Sequence, residues 1–253
     1  MIISIANQKG GVGKSTTSIN LAAGLSLKGY RVLLVDLDPQ ANVTKVFLSH
    51  EDDIPVQRSL YNVLINFYPL GNIIQETKTK NLFIAPSHIR LSGTDLELSH
   101  AIDNRSERLK RALMTIAQDY DQIIIDTPPS LGLLTINALT ASNKLLIPVS
   151  TGYFALTGLV QLQETIQLVK QTQLNPQLST LGVLLTFAEH TVVSRDVEKQ
   201  LRDYFGQLVF SATIPKNVSL EEAHSNHTHI FGYAPNSAGA QAYKALVKEV
   251  IER

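Results

Sequence analysis

Ile2-Ile3-Ser4-Ile5-Ala6 leads directly into Asn7-Gln8-Lys9-Gly10-Gly11-Val12-Gly13-Lys14-Ser15-Thr16, and a helical pattern follows from Ser15 to Lys28. Strand, glycine-rich turn and helix is the context in which a phosphate-binding loop works. Glycines at 10, 11 and 13 let the backbone wrap closely round phosphate oxygens. The N–H groups from Gly10 to Gly13, with those of Lys14, Ser15 and Thr16 at the helix start, form an anion nest. Lys14 is placed to neutralise β- and γ-phosphates, and the Ser15 hydroxyl to hold Mg²⁺. The general pattern has glycine five residues before the Gly-Lys pair, where this chain has Gln8. A second lysine, Lys9, heads the glycines instead, which makes this a deviant Walker loop.

Outward from that loop, apolar runs alternate with amphipathic stretches, the pattern of a parallel sheet covered by helices. Strands are predicted at 2–6, 32–35, 82–85, 122–125, 145–149 and 181–185, with a shorter one near Val209. Their Val- and Ile-rich, weakly alternating composition fits strands covered on both sides. Helices are predicted at 60–66, 105–119, 133–141, 156–171, 195–205, 220–225 and 240–251; Gly29 ends the first helix. The expected fold is α/β, a single-domain P-loop NTPase over residues 1–253, with a mostly parallel central sheet flanked by helices on both faces.

Composition narrows the function. The 253 residues are 44% hydrophobic, ample for a core, and the formal net charge is +0, so no global field draws nucleic acid. Cysteine is absent, which removes disulfides and thiolate metal sites. No apolar run approaches the ~20 residues of a membrane span, and a strand begins at residue 2, so a cytoplasmic protein without a signal peptide is expected.

Two further segments carry chemistry. Val35-Asp36-Leu37-Asp38-Pro39-Gln40 ends the second strand, and carboxyl ends of strands are where ligands sit in open α/β sheets. A phosphoryl-transfer site needs a group that orients the attacking water, and Asp36 suits support of Mg²⁺ or its waters. Ile123-Ile124-Ile125-Asp126-Thr127-Pro128-Pro129-Ser130 is a Walker B strand whose Asp126 would accept hydrogen bonds from Mg²⁺-bound water. The Pro-Pro pair leaves a loop near the γ-phosphate, where hydrolysis can be sensed.

The Lys9 loop, these two segments, Leu131–Leu139 and the turn Ile214-Pro215-Lys216-Asn217 resemble the ParA/Soj family of partition ATPases almost end to end. The resemblance implies an ATP-bound sandwich dimer in which Lys9 reaches the partner's nucleotide, Asp38 orients the water, and Pro215 and Asn217 contact adenine. It implies non-specific, nucleoid-associated DNA binding and a ParB-like or cargo adaptor that stimulates hydrolysis. The cargo would be a plasmid, a chromosome origin or a protein compartment such as the carboxysome. Cysteine-dependent relatives, the nitrogenase iron protein and the iron–sulfur carrier ATPases, are excluded.

DNA contacts would rest on phosphates. Arg195, Lys199 and Arg202 recur at spacings that place them on one helical face, with Asp196, Glu198 and Asp203 off that stripe, and Lys216 is a fourth candidate. Ser219 and Glu221 stand where relatives commonly carry arginine and serine, which weakens the patch; Lys244 and Lys248 are alternatives. Ser150-Thr151-Gly152 departs from the Gln-Cys-Glu common in partition proteins. Two rival functions stay open, a MinD-like membrane-associated ATPase and a ligase like dethiobiotin synthetase. Against the first, the C-terminal stripe Tyr243, Leu246, Val247, Val250 and Ile251 is too poor in Lys and Arg at its margins for a membrane-surface helix. His224, His227 and His229 have spacing that could bind zinc, but no carboxylate completes a site.

Overall fold

The computed structural model describes residues 1–48, 54–101, 103–152, 157–189 and 191–253. Eight strands form one sheet in the order β3-β4-β2-β5-β1-β6-β7-β8. They are β1 (Ile2–Ile5), β2 (Val32–Asp36), β3 (Gln75–Glu76), β4 (Leu82–Ala85), β5 (Gln122–Asp126), β6 (Lys144–Ser150), β7 (Ser179–Ala188) and β8 (Val209–Pro215). Every pairing is parallel except β3 with β4. The chain leaves β1 for β2 on one side, then crosses from β5 over β1 to β6. The carboxyl end of β1 therefore opens onto the crevice of a topological switch point.

The described helices are α1 (Lys14–Leu27), α2 (Asn42–Phe47), α3 (Leu60–Asn66), α4 (Thr94–Ser99), α5 (Arg108–Met114), α6 (Leu133–Ala141), α7 (Thr157–Gln171), α8 (Val192–Phe205), α9 (Val218–Ser225), α10 (Ile230–Tyr233) and α11 (Ala238–Glu252). Residues of β2 alternate between two cores. Val32 and Leu34 pack toward α1 and α11, Leu33 and Val35 toward α3, α5 and α6. A period of two with both faces apolar is what a helix-covered strand requires. A third core joins β6 and β7 to α7 and α8.

Helix α1 is buried along nearly its whole length because α11 crosses it closely. A Cβ added at Gly24 would lie 2.5 Å from a Val247 methyl. Tyr243, Leu246, Val247 and Val250 are buried in that contact, whereas Ile251 is exposed. The C-terminal apolar stripe is thus spent on the core, and among the described residues no helix is long and apolar enough to cross a membrane.

Several boundaries differ from the sequence reading. Strand β7 runs ten residues and β8 seven, longer than expected. The helix predicted over 105–119 is shortened to α5, followed by a 3₁₀ turn at Ala117–Asp119. The start predicted for α7 at Leu156, and Tyr153 to Ala155 before it, lie outside the described residues.

Candidate nucleotide site

The loop after β1 is held from three directions. The Asn7 side chain accepts a hydrogen bond from the Lys9 backbone N–H (3.0 Å) and donates to the Pro148 carbonyl (2.7 Å). Thr186 at the end of β7 donates its hydroxyl to the Val12 carbonyl (2.9 Å). Gly11 and Gly13 have φ of 69° and 81°, the left-handed region that disfavours side chains, and Gly13 caps α1. Lys14 is buried and donates to the Lys9 carbonyl (3.0 Å). Burial lowers its pKa, and Asp126 and Asp38 pull it back up.

Asp36 and Asp126 are register partners on β2 and β5, both shut from water. Burial raises both pKa values, and in Asp36 the nearby Asp126 charge adds to the rise. Asp126 accepts from the Ser15 and Ser18 hydroxyls, each at 2.7 Å. Asp36 has both oxygens engaged elsewhere: Oδ1 accepts the Asp38 N–H (3.2 Å), and Oδ2 accepts the Thr44 N–H (2.8 Å) and hydroxyl (2.7 Å). Asp36, expected from sequence to support Mg²⁺ or its waters, anchors α2 and the Asp38 turn through these bonds. Crowded buried carboxylates served by one ammonium favour a further cation, and the hydroxyl and carboxylate oxygens of Ser15 and Asp126 are the hard donors that suit Mg²⁺.

Asp38 stands on the wall of a cavity of about 530 Å³ with Gly10, Gly13, Lys14, Ser15 and Thr16. Its Oδ1 accepts the Gln40 N–H (2.9 Å), and its carbonyl accepts the Ser87 hydroxyl (2.6 Å). Burial raises its pKa, opposed by the Gln40 N–H hydrogen bond and by Lys14. A slot of about 180 Å³ adjoins this cavity through Gly13, Thr16 and Phe187. Pro215 and Asn217 line the slot, and Asn217 Oδ1 is buried without a partner among the described residues. Lys14, Asp38 and Ser15 line the larger cavity, Asp126 stands behind Ser15, Pro215 and Asn217 line the slot, and Lys9 is tied to the loop through its carbonyl, which accepts from Lys14.

The basic candidates are less free than their spacing suggested. Glu198 lies one helical turn before Arg202, and the pair meets at 2.9 Å; Lys216 meets Glu189 at 3.3 Å. Arg195 and Lys199 are exposed. Lys244 donates to the Pro235 carbonyl, and Lys248 lies 3.9 Å from Glu252. The three clustered histidines part company: His227 bonds the Lys45 carbonyl, His229 accepts the Gly232 N–H, and His224 faces the large cavity.

Sequence reasoning missed Asn7, Ser18, Thr44, Ser87 and Thr186, whose roles depend on distant strands. It also missed Phe187, which lines both the cavity and the slot and has a φ of 52°, strained for an aromatic residue. Thr151 pins that residue by donating to its carbonyl (3.1 Å), which gives the Ser150–Gly152 segment a place in the site.

A parallel sheet with a lysine-bearing phosphate loop at its switch point defines a P-loop nucleoside triphosphatase. The family model AAA_31, described as an AAA domain, matches residues 1–180. The sporulation initiation inhibitor protein Soj of Bacillus subtilis is 48% identical over 98% of this chain and 97% of its own. The chromosome partitioning protein ParA of Myxococcus xanthus is 45% identical over 100% and 88%. Among solved structures, cobyrinic acid a,c-diamide synthase from Mycobacterium smegmatis, with bound ATP analog and magnesium, superposes with a TM-score of 0.85. It is 35% identical, over 99% of this chain and 94% of that one. The chain belongs to the ParA/Soj family of partition ATPases.

Proposed function

We propose that the chain is a Mg²⁺-dependent ATPase switch that dimerises on ATP, binds DNA without sequence preference and partitions or positions a cargo. The observation that carries this reading is the convergence of Lys14, Asp38 and the Ser15–Asp126 pair on one cavity beneath the glycine loop. The adenine sits in the slot lined by Pro215 and Asn217. Loop N–H groups and Lys14 hold the phosphates. Ser15 and Asp126 would hold Mg²⁺, which would supply charge neutralisation for the phosphates. Asp38 orients a water for attack on the γ-phosphorus; the bond to the β–γ bridging oxygen breaks, giving ADP and phosphate. Lys9 of each protomer reaches the nucleotide of the other.

Arg195, Lys199, Arg202 and Lys216 supply the DNA phosphate contacts. The Arg202–Glu198 and Lys216–Glu189 pairs are exposed and weak, of order ~0–1 kcal/mol, so DNA can displace them. A ParB-like or cargo adaptor completes the cycle by speeding hydrolysis. Burial of the α11 stripe in the core disfavours a MinD-like membrane anchor. The likeness to a diamide synthase keeps a metabolic ligase as the second reading.

Sedimentation with ATP and Mg²⁺ tests the choice: the Asp38→Ala variant is expected to pellet with plasmid DNA of any sequence and not with anionic vesicles. Its turnover should be lost while ATP binding remains. Turnover at the wild-type rate removes the role given to Asp38. Pelleting with vesicles alone favours the membrane reading, and ATP-dependent amidation of a small carboxylic acid favours the ligase.

A further inference from the structure

Glu221, which stands where relatives commonly carry serine, lines the base slot. It is exposed, and among the described residues it has no hydrogen-bond or ion-pair partner. Its neighbour Glu222 is engaged by the Tyr233 hydroxyl at 3.4 Å. The other charged residue of the slot lining, Lys216, meets Glu189 at 3.3 Å. Helix α9 runs past both chambers. Asn217 and Glu221 line the slot, whereas His224 and Ser225 line the larger cavity. Positions 217, 221, 224 and 225 share one helical face. Glu221 therefore stands one turn after a slot residue and one turn before the two cavity residues, on the side of α9 turned to both. In a nucleoside triphosphate the sugar joins the base to the phosphates. With the base in the slot and the phosphates on the glycine loop, the sugar lies where the two chambers meet.

We propose that Glu221 binds the ribose, its carboxylate accepting hydrogen bonds from the 2′- and 3′-hydroxyls, and that it makes the site selective for ribonucleotides. This rests on the reading of the two chambers as an ATP site and deepens it. An ionised carboxylate only accepts, through two oxygens, which matches a vicinal diol and repels a phosphate. Ile214, Pro215, Val218 and Leu220 give the slot apolar walls suited to the faces of a base, which leaves the acid for the polar sugar. Because no described residue holds the Glu221 side chain, it is free to turn to a ligand, and its removal should leave the fold intact.

Isothermal titration of the full chain with ADP, 2′-deoxy-ADP and 3′-deoxy-ADP, each with Mg²⁺, tests this. Wild type is expected to bind ADP about tenfold tighter than either deoxy analogue, the scale of a hydrogen bond to a charged group. In Glu221→Ala the preference should collapse, with all three ligands bound within about twofold of one another, as a cycle that removes both partners of one contact requires. Glu222→Ala, which removes the same charge one residue further on, should keep the wild-type preference. The melting temperature without nucleotide should be the same in all three proteins. A ribose preference that survives in Glu221→Ala, or that is absent from wild type, overturns the proposal. So does an equal weakening of all three ligands in Glu221→Ala, which would assign the side chain to the base or to packing, and so does an equal loss of preference in Glu222→Ala, which would assign it to the general field. Lys14→Ala separates the two levels: if it binds ADP as tightly as wild type, the ATP-site reading fails, and not merely the Glu221 contact.

Discussion

Thr44 is a test of how the two catalytic-side aspartates are held. Its hydroxyl donates to Asp36 Oδ2 at 2.7 Å and accepts the Ser87 N–H at 2.9 Å, and all three groups are buried. Thr44→Val keeps the shape and removes both bonds. Asp36 retains the Thr44 N–H, but loses its shortest donor, and the Ser87 N–H is left without an acceptor. Each stranded buried group costs about 1–3 kcal/mol, so the combined loss is about 3 kcal/mol. For a chain of this length that corresponds to a fall in Tm of about 10 °C. Urea denaturation at pH 7 should show the midpoint falling with the slope unchanged. Because Ser87 also donates to the Asp38 carbonyl, kcat for ATP should fall while KM stays near wild type. Thr172→Val, which removes only a bond within an exposed helix end, should change stability by less than ~0.5 kcal/mol. A Thr44→Val loss as small as that of Thr172→Val would refute the claim that this hydroxyl organises the site.

Two other outcomes follow from the same geometry. Gly13→Ala places a side chain at φ 81°, at a cost of about 1–2 kcal/mol, with its Cβ 3.6 Å from the Phe187 ring, an ordinary contact. Calorimetry should therefore show weaker ATP binding arising from backbone strain, and unchanged binding would mean the loop does not need that conformation. His224 has a folded-state pKa lowered to about 4 against the ordinary 6.5, so the unfolded chain binds the proton more readily. Its contribution to stability is complete above pH 6.5 and is lost as pH falls toward 4, reaching roughly 3 kcal/mol. The wild-type minus His224→Gln difference in unfolding free energy should shrink by that amount across the window; a difference independent of pH would contradict the buried neutral imidazole.

The parallel α/β layers and the phosphate loop were legible because each is a local signal: an apolar run, glycines at fixed spacing, a lysine at the start of a helix. The positions of Asp38 and Asp126 at the carboxyl ends of strands were legible because they follow such runs directly. The elements that escaped were short, such as α2, α4, α10 and the two-residue β3, where too few residues exist to show a period. The bonds that hold Asp36 were not legible because their donor, Thr44, belongs to one of those unseen helices. Glu198 was set aside as off the cationic stripe, yet four residues is the spacing at which a carboxylate reaches the next arginine. Thr186 and Phe187 had no local signature, since their task is set by a strand that meets the loop only in the folded sheet.

The central claim is that two lysines of each protomer serve two nucleotides, Lys14 its own and Lys9 the partner's. Light scattering of the Asp38→Ala variant with ATP and Mg²⁺ measures this directly. The account predicts a dimer for Asp38→Ala and a monomer for Asp38→Ala combined with Lys9→Ala, with ATP still bound to both. A dimer that persists without the Lys9 side chain, or no dimer in either variant, would contradict it.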